Sequence, residues 1–176
     1  IQRQQDSLTE EQYVFADATD RLSRCIFDGG AGTGKTFLLA YDAKRRASRG
    51  LVVGVLTPSA RLTSYLNKRF NGEITCLHPD QCDSQEQKFE TLYVDEAQDF
   101  VNDVGYRLID SLVEGGIEGG SWRLYGDFEN QLSATAEYDP DIWEFLVEAT
   151  GNNTVFPLAR NVRNTPEIVR WLESIC

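Results

Sequence analysis

Methionine is absent from the 176 residues, and histidine occurs once, at His78. Without Met, Ile1 is not a translation start, so the chain reads as processed or cut from something longer. No apolar run approaches the roughly 18 residues that a membrane-spanning helix needs. The opening Ile1-Gln2-Arg3-Gln4-Gln5-Asp6 is polar and does not resemble a signal segment. Cations are scarce: 17 Lys+Arg stand against 28 Asp+Glu, a formal net charge of −11. That balance excludes a protein that holds nucleic acid simply by being basic, while leaving a local basic groove open. Cysteine is sparse as well. Cys25, Cys76, Cys82 and Cys176 form no C-x-x-C pair, and Cys25 sits in an apolar run, which points to a reduced, cytoplasmic compartment. Cys76, His78 and Cys82 lie close together but supply only three zinc-type ligands without paired spacing, which favours structural thiols over a metal site.

What is present is ordinary for a globular chain, with 41% hydrophobic and 26% charged residues. The length suits one domain covering residues 1–176. Short apolar runs alternate with segments of helical period. Strands are expected at 25–27, 51–56, 74–77, 91–94, 122–125 and 154–156. Helices are expected at 10–22, 35–49, 61–70, 104–113, 141–150 and from Thr165-Pro166 onward. The pairs Gly115-Gly116 and Gly119-Gly120 should close the fourth of these helices. Such alternation predicts an α/β fold, a mostly parallel sheet with helices on both faces. Lys44-Arg45-Arg46 reads as a solvated helix end, with a phosphate contact as the alternative, and Trp122, Trp143 and Trp171 as core or interface residues.

Two motifs carry chemistry. Gly29-Gly30-Ala31-Gly32-Thr33-Gly34-Lys35-Thr36 fits G-x-x-x-x-G-K-[ST], with an apolar strand before it and a helix after it. The glycines let backbone N–H groups curl around a phosphate, and the helix start adds partial positive charge. Lys35 would reach the β- and γ-phosphates and Thr36 would bind Mg²⁺. The second motif is Thr91-Leu92-Tyr93-Val94-Asp95-Glu96-Ala97-Gln98-Asp99, an apolar strand that delivers adjacent acids at its end. In such proteins the first acid, here Asp95, holds Mg²⁺, and its neighbour Glu96 can take a proton from an attacking water.

The string Asp95-Glu96-Ala97-Gln98-Asp99 resembles motif II of superfamily 1 helicases, in particular the UvrD/Rep-like branch. Other segments follow in that family's order. Leu8-Thr9-Glu10-Glu11-Gln12 resembles its Q motif, Leu56-Thr57-Pro58-Ser59-Ala60 its motif Ia, and Ile74-Thr75-Cys76-Leu77-His78 the short segment after it. Leu124 to Gln131 resembles motif III and Leu158 to Thr165 motif IV. The resemblance implies a RecA-like P-loop NTPase lobe that binds ATP with Mg²⁺. It implies that Gln12 reads the adenine edge, that Gln131 senses the γ-phosphate, and that Arg163 contacts it. A second motor domain in cis is implied, with single-stranded or duplex nucleic acid bound only by a full-length parent. Three positions depart from the pattern. Val162 replaces a tyrosine that stacks on adenine, Pro58 a phenylalanine that stacks on DNA, and the segment after Gln131 lacks a tryptophan. Those departures leave room for a different role, a nucleotide-dependent switch in a signalling or defence protein that unwinds nothing.

Overall fold

The computed structural model describes residues 17, 20–131, 138–151 and 155–158. Six strands form one open sheet: β1 (Arg24–Asp28), β2 (Val53–Leu56), β3 (Thr75–Leu77), β4 (Thr91–Val94), β5 (Trp122–Gly126) and β6 (Val155–Pro157). Their spatial order is β3-β2-β4-β5-β1-β6, and every pairing is parallel. The expected mostly parallel sheet is thus wholly parallel among the described residues.

Helices cover both faces, and the strand sequences alternate to suit. Cys25 and Phe27 of β1, Tyr93 of β4 and Tyr125 of β5 pack with α1 (Lys35–Ala47) and α2 (Ala60–Phe70). Ile26, Leu92, Val94, Trp122 and Leu124 pack on the other face. That second core takes in α3 (Asp103–Leu112), the short α4 (Gly116–Gly119), α5 (Phe128–Gln131) and α6 (Pro140–Ala149). Strands buried on both faces read as near-continuous apolar runs, as these do.

Local chemistry sets the helix ends. The Ser59 hydroxyl accepts from Leu62 N–H at 3.2 Å to start α2, and Asn71 closes it in the left-handed region at φ 48°. Asn102 caps α3 by accepting from Gly105 N–H at 2.8 Å, and Asp139 with Pro140 opens α6. The glycine pairs do not close α3. The helix stops at Leu112 because Val113 bridges to Phe89, and Gly116–Gly119 then forms its own helical turn. The expected helix over 10–22 also ends early, since Asp20 and Arg21 turn and lead directly into β1. The turns Pro79–Ser84 and Ala97–Phe100 are 3₁₀ helices without a period long enough to read in sequence.

Register decides where chemistry gathers. Asp28 of β1 lies opposite Gly126 of β5, and Leu56 of β2 opposite Val94 of β4. Gly29, Asp95 and Asp127 follow directly, so all emerge at one edge of the sheet, the carboxyl end of its parallel strands. Cross-links bind that edge: Gly29 N–H donates to Gly126 C=O at 2.9 Å, Asp95 N–H to Leu56 C=O at 2.9 Å, and Leu158 N–H to Asp28 C=O at 2.6 Å.

Candidate functional site

The loop from Gly29 to Gly34 joins β1 to α1. Gly34 is the N-cap of α1 and sits at φ 83°, a conformation that a side chain rarely adopts. It makes no side-chain cap, so the first N–H groups of a 13-residue helix point into the loop beside the positive end of its dipole. Lys35 is buried there, its Nζ donating to Gly29 C=O at 2.6 Å and to Gly30 C=O at 3.2 Å. Thr33 Oγ1 donates to Gly30 C=O at 2.9 Å, which holds the loop closed. A ring of N–H groups around a fixed ammonium suits a polyphosphate.

Facing the loop, the end of β4 presents Asp95 at 1% exposure. Thr36 Oγ1 donates to its Oδ2 at 2.9 Å, while its Oδ1 is buried without a hydrogen-bond partner. Burial, then the neighbouring Glu96 charge, push its carboxyl up to about 6 against the opposing pull of the Thr36 hydroxyl and the Lys35 ammonium. An orphaned carboxylate oxygen beside a hydroxyl is a hard-oxygen pair suited to Mg²⁺, which takes one or two protein oxygens and completes its shell from water and phosphate. Among the described residues no group of three or more His, Cys, Asp or Glu side chains could hold a metal ion by itself.

Glu96 follows in the left-handed region, φ 49° and ψ 45°, strained for a residue with a side chain. Its Oε2 accepts from Gln98 Nε2 at 2.9 Å, and Gln98 Oε1 accepts from Asp127 N–H at 3.1 Å. One buried glutamine thus ties the acid after β4 to the turn after β5. Gly126 makes room for it: a Cβ there would lie 2.8 Å from Gln98 Oε1 and 2.6 Å from the Phe128 ring. Asp28 Oδ1 accepts from Phe128 N–H at 2.7 Å, which anchors the start of α5, and Asn130 Nδ2 donates to Asp127 Oδ1 at 2.7 Å.

The structure therefore brings together Gly29 to Thr36, Asp95 and Glu96. Gln131 ends α5, on the segment that follows Asp127 at the same sheet edge. Gln12, Val162 and Arg163, with the whole motif IV segment after Leu158, lie outside the described residues, as does Trp171. Gln98, Asp28 and Asn130 were not singled out from sequence. Gln98 lies within the acidic string Asp95 to Asp99, but its span to Asp127 depends on strand order, which spacing does not encode.

The weaker candidates resolve into structure. Arg46 is buried, and Arg45 pairs with Asp17 at 2.7 Å and with Asp20 at 3.1 Å, so two of the three cations of Lys44-Arg45-Arg46 are committed to ion pairs rather than solvated. His78 caps the 3₁₀ turn Pro79–Ser84 with its side chain. Cys25, Cys76 and Cys82 are buried free thiols, pushed by burial to about 11, 12 and 11. Trp122 is fully buried, and Trp143 stacks on Phe128 at 4.6 Å between centroids. No helix among the described residues is long and apolar enough to cross a membrane.

No family model matches the sequence, and a search of curated proteins returns no match. Similarity appears in structure. The Hef helicase domain of Pyrococcus furiosus superposes with a TM-score of 0.62 at 12% identity, over 92% of this chain and 40% of that one. A Pif1 helicase solved in a study of unwinding at forked double-stranded DNA gives 0.56 at 16%, over 96% and 48%. DnaA of Aquifex aeolicus bound to AMPPCP gives 0.52 at 15%, over 95% and 57%. The chain spans about half the length of these solved structures or less. At such identities the likeness is one of architecture, and the fold is that of a P-loop NTPase domain, shared with helicase and DnaA structures.

Proposed function

We propose that this chain is the ATP-binding motor lobe of a superfamily 1 helicase-like ATPase, with Mg²⁺-dependent ATP hydrolysis coupled to nucleic-acid movement in a full-length parent. The observation that carries the reading is Asp95. A carboxylate is buried at the mouth of a phosphate-type loop, bonded through one oxygen to Thr36, and left with the other unpaired. Nothing in the packing calls for it, and a bound divalent cation would satisfy it.

In this reading the amides of Gly29 to Gly34 and the Lys35 ammonium hold the phosphates, and Thr36 with Asp95 holds Mg²⁺. The ion would draw charge from the β- and γ-phosphate oxygens when bound. Glu96 orients or deprotonates the attacking water, its carboxylate steadied by the Gln98 amide. Gln131 and Arg163 couple the γ-phosphate to a second motor domain in cis, and Gln12 reads the adenine. The lobe alone hydrolyses slowly, because charge stabilisation at the transferred phosphoryl group is incomplete without the partner domain.

A second reading rests on a specific observation. Among the described residues every Phe, Tyr and Trp is buried or half-buried, so none presents a fully open face for stacking bases. That favours a nucleotide-dependent switch. Single-stranded DNA added to a full-length parent separates the two: strong stimulation of ATPase supports the motor, and an unchanged rate supports the switch. The site itself is tested by Glu96→Gln, which should bind Mg-ATP but not turn it over. Retained turnover would mean that another group is the base.

A further inference from the structure

Among the described residues outside the candidate nucleotide site, buried charge gathers between α1 and the sheet. Asp42 lies on α1 with its side chain 3% exposed. Its Oδ2 accepts from the Tyr93 hydroxyl at 2.6 Å and lies 3.1 Å from Arg123 Nε. Arg45 Nη2 stands 3.4 Å from Oδ1, and Arg46 Nε 3.8 Å from Oδ2. Arg123 is fully buried, rests 5.7 Å from the Tyr93 ring centroid, and donates through Nη2 to Leu22 C=O at 2.9 Å.

The positions of these residues along the chain matter. Tyr93 precedes Asp95 by two residues on β4, and Arg123 precedes Gly126 by three on β5. Asp42 follows Thr36 by six on α1, about 9 Å of rigid helix at ~1.5 Å per residue. One carboxylate therefore fastens the helix that carries Thr36 to both strands that deliver the acids. Apolar packing between α1 and the sheet resists separation but is non-directional. The hydrogen bond from Tyr93 to Asp42 is directional and resists axial sliding and rotation, and the Arg123 charge adds attraction at the same carboxylate.

Stability is a poor explanation for such a cluster. Burying two charges costs free energy that their attraction only partly returns, and apolar replacements of buried ion pairs are often neutral or stabilising. We infer that Asp42, Tyr93 and Arg123 are positioning residues: they fix α1 against β4 and β5 and so set the spacing between Thr36 and Asp95. The inference rests on the reading of that pair as the Mg²⁺ site.

The test is binding of a fluorescent ATP analogue by the full chain, in EDTA and along a Mg²⁺ titration, with a thermal melt of each variant. Tyr93→Phe removes one hydroxyl and keeps the ring. It should raise the Mg²⁺ concentration for half-saturation about tenfold, the lower end of what losing an outer-shell partner of a metal site costs. Its affinity in EDTA should match that of the parent chain. Leu39→Ala, a cavity in the same helix–sheet interface, should lower the melting temperature and leave the Mg²⁺ midpoint unmoved. The pair Asp42→Leu with Arg123→Met should shift the midpoint at least as far as Tyr93→Phe does. An unmoved midpoint in Tyr93→Phe, or an equal shift in Leu39→Ala, overturns the positioning role alone. A parent chain that binds the analogue no better with Mg²⁺ than without overturns the metal reading and this inference together.

Discussion

Asp95→Asn tests the site through stability alone, without any turnover. The carboxyl is raised from 3.8 to about 6, with burial the largest cause and the Glu96 charge the next. The sign follows from which state holds the proton. Between about pH 4 and 6 the folded chain keeps the Asp95 proton and the unfolded chain has released it, so the parent chain loses stability as pH rises through that window. Two pKa units at about 1.4 kcal/mol each give a loss of about 3 kcal/mol. Asparagine does not titrate. Any constant difference between an amide and a protonated carboxyl at this position drops out when only the pH dependence is compared. Urea unfolding of both chains in EDTA, stepped from pH 4 to 7.5, should show the stability of Asp95→Asn relative to the parent rising by about 3 kcal/mol and flattening above pH 7. Excess Mg²⁺ with nucleotide should erase most of that gain, because the cation stabilises the ionised carboxylate only in the parent. A stability difference flat across the pH window would refute the buried-charge argument, and with it the main physical reason for placing a cation there.

Lys35→Ala should abolish binding of the fluorescent ATP analogue while the melt stays near that of the parent chain; retained affinity would assign the phosphates to another group. Gly126→Ala should push Gln98 off the Asp127 amide and free Glu96, lowering turnover in a full-length parent more than nucleotide affinity, read as kcat against KM. Leu66→Ala, at a fully buried position on α2, should cost about 2–5 kcal/mol in urea unfolding without moving the Mg²⁺ midpoint.

How far the sequence could be read depended on what kind of signal each element carries. The strand at Thr91–Val94 was legible to the residue, because an apolar run meets acids with no ambiguity at its end. The helix after the phosphate loop was legible from its period and its basic last turn, although the ion pairs that absorb Arg45 and Arg46 were not. Those pairs form with Asp17, Asp20 and Asp42, and Asp17 and Asp20 lie in a segment expected to be continuous helix to residue 22. The glycine pairs misled for a related reason: Val113 leaves the helix through a bridge to Phe89, a partner more than twenty residues away. The loop from Gly29 to Gly34 is a local motif of consecutive residues. Residues whose side chains reach across the sheet, such as Gln98, Asp28 and Asp42, depend on strand order, and β5 inserts between β1 and β4 in a way that spacing does not report.

Two adjacent residues carry costs that fold formation does not explain. Asp95 is buried with one carboxylate oxygen lacking a hydrogen-bond partner, and Glu96 holds a left-handed backbone without being glycine or asparagine. Each costs on the order of 1–3 kcal/mol. Together they are a large fraction of the 5–15 kcal/mol that typically separates folded from unfolded chains. Asn71 shows what the same backbone region looks like when it is merely structural: an exposed helix cap, filled by a residue type that tolerates it. At Glu96 the conformation instead turns the chain straight from strand to 3₁₀ helix, so that a carboxylate and its Gln98 amide stand beside the Thr36–Asp95 pair. Strain and burial at consecutive positions, facing the glycine-rich loop at the positive end of α1, are what a site prepared for a charged ligand requires. A surface turn after a strand would relax both by exposing Asp95 to water.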